Sequence, residues 1–359
     1  MSKVVLFKDD NEQLFWQQWK TFTLRRRAGP KYLQENLEIQ LITSSAKSLL
    51  YKDKSFVYLM DNQPVACVFL PLETNEEGRI TITQNGGYID APLFEDESIR
   101  KEVFLLIDEI AKEYQVAKIM FTVDPLEADI TCNYLQNYSY LDTTILANRI
   151  QLDLTGDLLK QYHKRHRRTI TAALNTGEFT TFVIDQNNPS LQIHNEYVAF
   201  HHKCSGRVTR PEQTFALQFD KLNRGYAVLV GLQYREKHVA YYYFDYLFDK
   251  ALAYSAADDP DYDHLPLYHI LSLKMMEYLQ AKGVRYVDFG QPMSPSPQFD
   301  YYPDLKQRNI AFFKQGLPGT LVSQFRGVKY LSQECFAHDI ENFKNNYSQT
   351  IFDEALSNL

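Results

Sequence analysis

The chain spells one order of elements twice, and that repeat limits its fold more than any single residue does. Residues 55–124 open with "SFVYLMDNQPVACVFLPLE", two strand-like runs on either side of the turn Asp61-Asn62-Gln63-Pro64. "GRITITQNGGYIDAPLF" adds a third strand and a loop that ends at Pro92. Ile99, Val103, Leu106, Ile107, Ile110 and Tyr114 then share one face at helical spacing, and "KIMFTVDP" closes the unit as a strand. Residues 225–291 follow the same course. "GYAVLVGLQYREKHVAYYYFDYLF" is a hairpin that turns between Tyr234 and Lys237, and "KALAYSAADDPDYDHLP" is a third strand with a loop ending at Pro266. Leu267, Ile270, Leu271, Met275, Tyr278 and Leu279 line one side of a helix that stops at Lys282-Gly283, and "VRYVDFG" is the closing strand. The second copy begins about 170 residues after the first.

The repeat predicts an α+β chain of two tandem units, each a mixed, mostly antiparallel sheet flanked by helices. The expected bounds are 1–150 and 151–359, with the C-terminal tail folding back on the first unit. A length of 359 residues with 45% apolar content accommodates two such cores. The 25 tyrosines and 23 phenylalanines suit strands and amphipathic clefts rather than a helical bundle. A net charge of −7 argues against a dedicated nucleic-acid binder but leaves room for local basic patches. Cys67, Cys132, Cys204 and Cys335 form neither a CxxC pair nor a zinc-like spacing with histidine, so no metal site and no disulfide framework are expected. No run reads as a membrane span or a secretory leader; a cytoplasmic protein without stable membrane insertion is expected.

The loop before the second helix is unusual. A helix N-terminus exposes unpaired N–H groups and a partial positive charge, and so commonly receives an anion. Here "SAADDPDYDHLP" brings Asp258, Asp259, Asp261 and Asp263 to that point, with no glycine to let a ligand approach the backbone. Four carboxylates repel phosphate, so a pyrophosphate is not expected at this helix. Asp261 or Asp263 is expected to cap it, a contribution of roughly 1 kcal/mol. In the first unit Gly86-Gly87 reads as a turn rather than an anion nest.

Other segments carry candidate chemistry. "HKRHRRTITAALNTG" places Lys164, Arg165, Arg167 and Arg168 on one helix, either as a solvated face or as a phosphate or tRNA contact. Arg25, Arg26 and Arg27 form a second basic cluster that reads as surface charge. "HHKCSGRVTRPEQ" offers His201, His202, Arg207 and Arg210. Asp245 and Asp288 lie in otherwise apolar strands, where a buried carboxylate needs a partner. For Asp288, a loop-fixing hydrogen bond and a role in orienting substrate both remain open. No Ser-His-Asp or Cys-His nucleophile can be read out. Direct attack by an amine requires only deprotonation and charge stabilisation.

Three motifs in order, "LLKQYHKRHRRTITAALNTG", "YSAADDPDYDHLPLYHILSLKMMEYLQAKGVRYVDFGQ" and "QRNIAFFKQGLPG", resemble those of the FemAB-type transferases. In that family two domains of the GCN5-related N-acetyltransferase fold occur in tandem. The resemblance is greatest to the FemAB-like acyltransferases associated with cellulose biosynthesis, covers nearly the whole chain and is strongest over residues 155–317. "GLPG" departs from the aromatic that usually follows the glycine in the family. The resemblance implies transfer of an acyl or aminoacyl group to an amine, on an amino sugar, a sugar nucleotide or a cell-envelope precursor. The donor would be acyl-CoA or aminoacyl-tRNA, used as a substrate, with no permanently bound cofactor.

It also implies site residues. Lys314 corresponds to a lysine near the acyl carbonyl, where a fixed cation stabilises an oxyanion. Tyr254 falls where family tyrosines line the cleft, Arg210 or Arg207 where an arginine binds acceptor phosphates, and Asp124 on the closing strand of the first domain. Asp288 joins the candidate catalytic set, and His202, Asp245 and Arg168 the candidate substrate-binding set. A tRNA-dependent aminoacyltransferase and a non-catalytic protein that binds a glycan precursor stand as alternatives. The absence of a sustained heptad arm counts against the tRNA-dependent one.

Overall fold

The computed structural model describes residues 2–127, 130–290 and 300–357. The first half contains β1 (Lys3–Phe7), α1 (Glu12–Arg25), a 3-10 turn (Pro30–Tyr32), α2 (Gln34–Ala46), β2 (Leu50–Asp53), β3 (Phe56–Met60), β4 (Gln63–Val68), β5 (Pro71–Thr74), β6 (Ile80–Ile82), β7 (Ile89–Asp90), β8 (Leu93–Phe94), α3 (Glu97–Glu113), β9 (Lys118–Thr122) and β10 (Leu141–Asp142). The second begins with β11 (Ile145–Gln151), α4 (Leu158–Gln161), α5 (Lys164–Asn175), β12 (Phe179–Ile184), α6 (Leu191–Ser205) and α7 (Glu212–Asn223). It continues through β13 (Ala227–Tyr234), β14 (Lys237–Leu247), β15 (Lys250–Asp258), α8 (Leu267–Ala281), β16 (Tyr286–Asp288), α9 (Leu305–Gln315), β17 (Thr320–Gln324), β18 (Arg326–Tyr330) and α10 (Gln333–Ser357).

The repeated order is present in three dimensions, down to its turns. β3 and β4 are joined at Asp61 and Asn62, and β13 and β14 at Arg235 and Glu236, and all four residues have positive φ. Two consecutive left-handed residues match the right-handed twist of a hairpin. In each half a strand, then a helix, then a parallel strand follows: β6 pairs β9, and β15 pairs β16.

The halves also differ from the sequence reading. "VACVFLPLE" reads as one strand but is split into β4 and β5, which belong to different sheets. Pro71 has no N–H to continue a ladder, and Ser55 Oγ accepts from the N–H of Leu70 at the break, at 2.9 Å. α8 begins after Pro266 without a side-chain cap, so neither Asp261 nor Asp263 caps it. Asp259 instead caps the short turn before it, accepting from the N–H of Asp261 at 3.1 Å.

The second sheet runs β12-β13-β14-β15-β16-β11-β17. Its faces follow strand periodicity: Tyr242 and Phe244 pack with α8 residues such as Leu271 and Met275, whereas Tyr241 and Tyr243 pack with Tyr197 and Phe215 of α6 and α7. The position near residue 150 falls at the end of β11, whose partners are β16 and β17. β18 lies between β9 and β10 of the first half. The closing strand β9 is thus flanked by a strand of the second half, whereas β16 is flanked by β11 from the start of its own half.

Candidate functional site between β15 and β16

β15 is paired with β16 only over its first three residues, Lys250, Ala251 and Leu252, which face Tyr286, Val287 and Asp288, the whole of β16. Beyond that point β16 ends while β15 runs on to Asp258, and among the described residues no strand pairs with that edge of β15. A register shift against β14 leaves Tyr254 as the extra residue of a β-bulge, since Tyr243 faces Ser255 and Phe244 faces Ala253. The first half has the same parallel pair but no such gap: β7 pairs with Phe121 and Thr122 of β9, directly beyond β6.

Three carboxylates and two lysines gather at the end of β16. Lys31, in the 3-10 turn, lies 3.3 Å from Asp288 Oδ2 and 3.9 Å from Asp124 Oδ1, and Asp90 also acts on it. Burial alone would lower the Lys31 pKa, but Asp288, Asp124 and Asp90 together drive it above its ordinary value. Burial pushes Asp90 up to about 6 against the opposing pull of Lys31. Asp288 Oδ1 accepts from the N–H of Gly290 at 2.8 Å, so this carboxylate both fixes its loop and faces Lys31. Asp124 Oδ1 accepts from the N–H of Leu126 at 3.0 Å, and its Oδ2 has no hydrogen-bond partner among the described residues.

Lys314, in the last turn of α9, donates to the carbonyls of Phe289 and Gly290 at 2.8 and 2.9 Å. It is buried, which lowers its pKa to about 8 against the attraction of Asp288. It remains mostly a cation at neutral pH and stands where the two strands part.

A second cluster underlies the bulge. Lys221 and Asp245 are both sealed from solvent, with Nζ 2.5 Å from Oδ2. Burial lowers the Lys221 pKa and raises that of Asp245. Lys221 Nζ also donates to Asn36 Oδ1 at 2.6 Å and lies 3.6 Å from the centroid of the Tyr254 ring. Arg210 donates to Tyr254 and Tyr197 at 3.4 and 3.3 Å and to Gln218, and it lies over the Phe215 ring. Among the described residues Arg210 has no carboxylate partner. A half-buried cation so placed is held by dipoles and ring faces, leaving its charge uncompensated.

The remaining candidates lie further out. Arg207 and Arg168 are exposed. His202 is half-buried against Phe215, with no partner for Nε2 among the described residues. Asp258, at the end of β15, accepts from Tyr268 and is pushed up to about 6, first by burial and then by the like charge of Asp263. Asp259 and Asp261 are paired with Lys203. Arg25 and Arg27, read as surface charge, pair with Glu95 and Asp249.

Lys31, Asn36, Asp90 and Lys221 escaped the sequence reading. Lys221 had a usable signal, since it shares the buried stripe of α7 with Thr214, Phe215, Gln218 and Leu222. The other three belong to the site only through long-range packing. Cavity size does not mark the site: depressions of 790 and 430 Å³ lie elsewhere, beside Arg79 and Lys329 and beside Leu41 and Leu217. Among the described residues no group of three or more His, Cys, Asp and Glu side chains could hold a metal ion. No helix among them is long and apolar enough to cross a membrane.

Solved structures share this fold. FemX superposes with a TM-score of 0.57 and 14% identity, covering 84% of this chain and 92% of its own. The fold is that of FemX. L-PGS from Bacillus licheniformis superposes with a TM-score of 0.53 and 12% identity, over 81% of this chain and 88% of its own. A domain named as the C-terminal part of a lysylphosphatidylglycerol synthetase from Agrobacterium fabrum does so with a TM-score of 0.55 and 12% identity, over 86% and 96%. No family model matches the sequence, and no curated protein is significantly similar to it.

Proposed function

We propose that the chain is an N-acyltransferase that moves an acyl or aminoacyl group from a carrier to an amine in the gap between β15 and β16. The observation that carries this reading is the edge of β15 beyond Leu252, which no strand pairs among the described residues and which is bordered by the bulged Tyr254, by Lys314 and by the carboxylates around Lys31. An extended amide chain can add to such an edge through main-chain hydrogen bonds. The fold shared with a lysylphosphatidylglycerol synthetase, an enzyme named for joining lysine to a lipid, supports aminoacyl transfer as a chemistry available to this scaffold.

The acceptor amine attacks the carbonyl carbon of the donor. A C–N bond forms, negative charge collects on the carbonyl oxygen, and the bond to the carrier sulfur or oxygen then breaks, the carrier leaving with the electron pair. Lys314 balances the charge on the oxygen. Asp90, Asp124 and Asp288 outnumber Lys31, so the cluster attracts a cationic amine and takes its proton. Arg210, without a carboxylate partner among the described residues, holds an acceptor phosphate. The acceptor is an amino sugar, a sugar nucleotide or a cell-envelope precursor, and the donor is acyl-CoA or aminoacyl-tRNA. The acidic approach to α8 favours donor phosphates held away from that helix, on Lys164, Arg165 and Arg168 of α5.

The test is to incubate the full chain with acetyl-CoA, and separately with aminoacylated tRNA, against a panel of amino sugars and sugar nucleotides, and to follow products by mass spectrometry. The expected result is an N-acylated product of one acceptor that is lost with Lys314→Ala. Saturable binding of a sugar nucleotide with no transfer from either donor would replace this reading with that of a non-catalytic binding protein.

A further inference from the structure

We propose that Lys221, held by Asp245 and by Asn36 of the first half, is a positioning residue for Tyr254, so that the gap in the second sheet is completed by a segment of the first half. Tyr254 is the bulged residue of β15, and a bulged residue has no opposite number in the ladder to fix it. Its orientation must come from side-chain contacts. Lys221 Nζ lies against its ring and Arg210 reaches its hydroxyl.

A fully buried lysine is a costly way to fill space, since an apolar side chain of similar volume serves packing as well or better. Lys221 is nonetheless fixed on two sides, at 2.5 Å from Asp245 and 2.6 Å from Asn36. Asn36 is itself oriented: Nδ2 donates to the carbonyl of Pro30 at 2.8 Å and to Asp245 Oδ2 at 3.0 Å, leaving Oδ1 to accept from Lys221. Pro30 begins the 3-10 turn that packs on β15 and carries Lys31 to Asp288. One short stretch, Pro30 to Asn36, therefore touches both lips of the gap: the end of β16 through Lys31, and the bulge of β15 through Asn36 and Lys221. The width of the gap and the pose of Tyr254 are set from the first half.

The significance of this relay rests on the reading of the gap as the acyl site, but its geometry does not, and the test needs no substrate. 3-Fluorotyrosine is placed at position 254 of the full chain and observed by ¹⁹F NMR. The wild type is expected to give one narrow resonance. In Lys221→Met/Asp245→Leu, which replaces the buried pair with apolar side chains, the resonance is expected to move by more than its linewidth and to broaden while the melt stays cooperative. Asn36→Leu is expected to act in the same direction by a smaller amount. If the double variant folds and the resonance keeps its wild-type position and width, Lys221 is a packing element only and the proposal is wrong. If the double variant does not fold, Asn36→Leu decides by the same criterion. Absence of acyl transfer in a separate assay would count against the function and leave this result standing.

Discussion

The two halves share an order of elements and a pair of left-handed hairpin turns, yet they treat the same gap in opposite ways. In the first half the chain folds back after β6 through Asn85 and Gly86, and β7 fills the space beside β9. Glu73 holds that turn, accepting from the N–H groups of Asn85 and Gly86 at 2.9 and 3.2 Å. An internal carboxylate thus occupies the donors that an anionic ligand would use. The helix that follows, α3, is capped by Asp96. In the second half the corresponding segment is the acidic loop, no strand among the described residues enters the space beside β15 beyond the end of β16, and α8 starts uncapped. A duplicated sheet gives two places where strands part, and a short plug strand with a satisfied turn is enough to retire one of them. The retired half then serves the open one, through Lys31 and Asn36.

The largest expected effect lies in the open half. Lys314→Ala should lower kcat about a hundred- to a thousandfold with little change in acceptor KM, the usual consequence of removing one stabiliser of a developing oxyanion. Steady-state kinetics measure it, and a near-normal kcat would reduce Lys314 to a support for the Phe289 and Gly290 carbonyls. In the closed half the plug should behave as core. Ile89 is fully buried, and Ile89→Ala should cost about 2–5 kcal/mol in denaturant unfolding. A cost within about 0.5 kcal/mol, as for an ordinary surface change, would mean that β7 is a loose lid rather than part of the fold.

Smaller effects sharpen the contrast. Arg210→Ala should raise the acceptor KM about ten- to a hundredfold with kcat nearly unchanged, because a charged hydrogen bond made equally in ground and transition states contributes about 1.5–3 kcal/mol. A fall in kcat at constant KM would move Arg210 into the chemical step. Asp90 sits at the junction of the halves with its pKa raised to about 6. A raised carboxylate pKa makes a stabilising contribution that is complete below the unfolded value near 4 and is lost as pH rises through 6. Asp90→Asn should therefore stabilise the protein at pH 7.5 by about 1–3 kcal/mol and make no difference at pH 4. An equal shift at both pH values would show that the effect is not the titration of Asp90.

Much of the fold was legible because the repeat is written in local terms. Hairpin turns, helical stripes and the prolines before α3 and α8 each follow from spacing over a few residues. The split at Pro71, the partners of β11 and β18, and β7 itself were not legible, because strands as short as β5 and β7 carry little periodicity and the partners of β11 and β18 lie far away in sequence. The site divides in the same manner. Tyr254, Arg210, Asp288, Lys314 and Asp124 could be named from motifs, and the structure brings Asp288, Lys314 and Asp124 to one end of the gap and Tyr254 and Arg210 to the bulge. Asn36 could not, since nothing local distinguishes an asparagine that caps nothing from one that reaches an ion pair more than 180 residues away.

The central claim is that the strand gap is open in the second half and sealed in the first. Amide hydrogen exchange on the free protein, resolved to single residues, tests it without any substrate. The account predicts that on the free edge of β15, from Ala253 to Asp258, the amides that do not bond to β14 exchange rapidly. The N–H of Ala91, which donates to the Thr122 carbonyl beside β7, should be protected together with the core amides of β9. Equal protection on the two sides, or rapid exchange at Ala91 with a protected β15 edge, would contradict it.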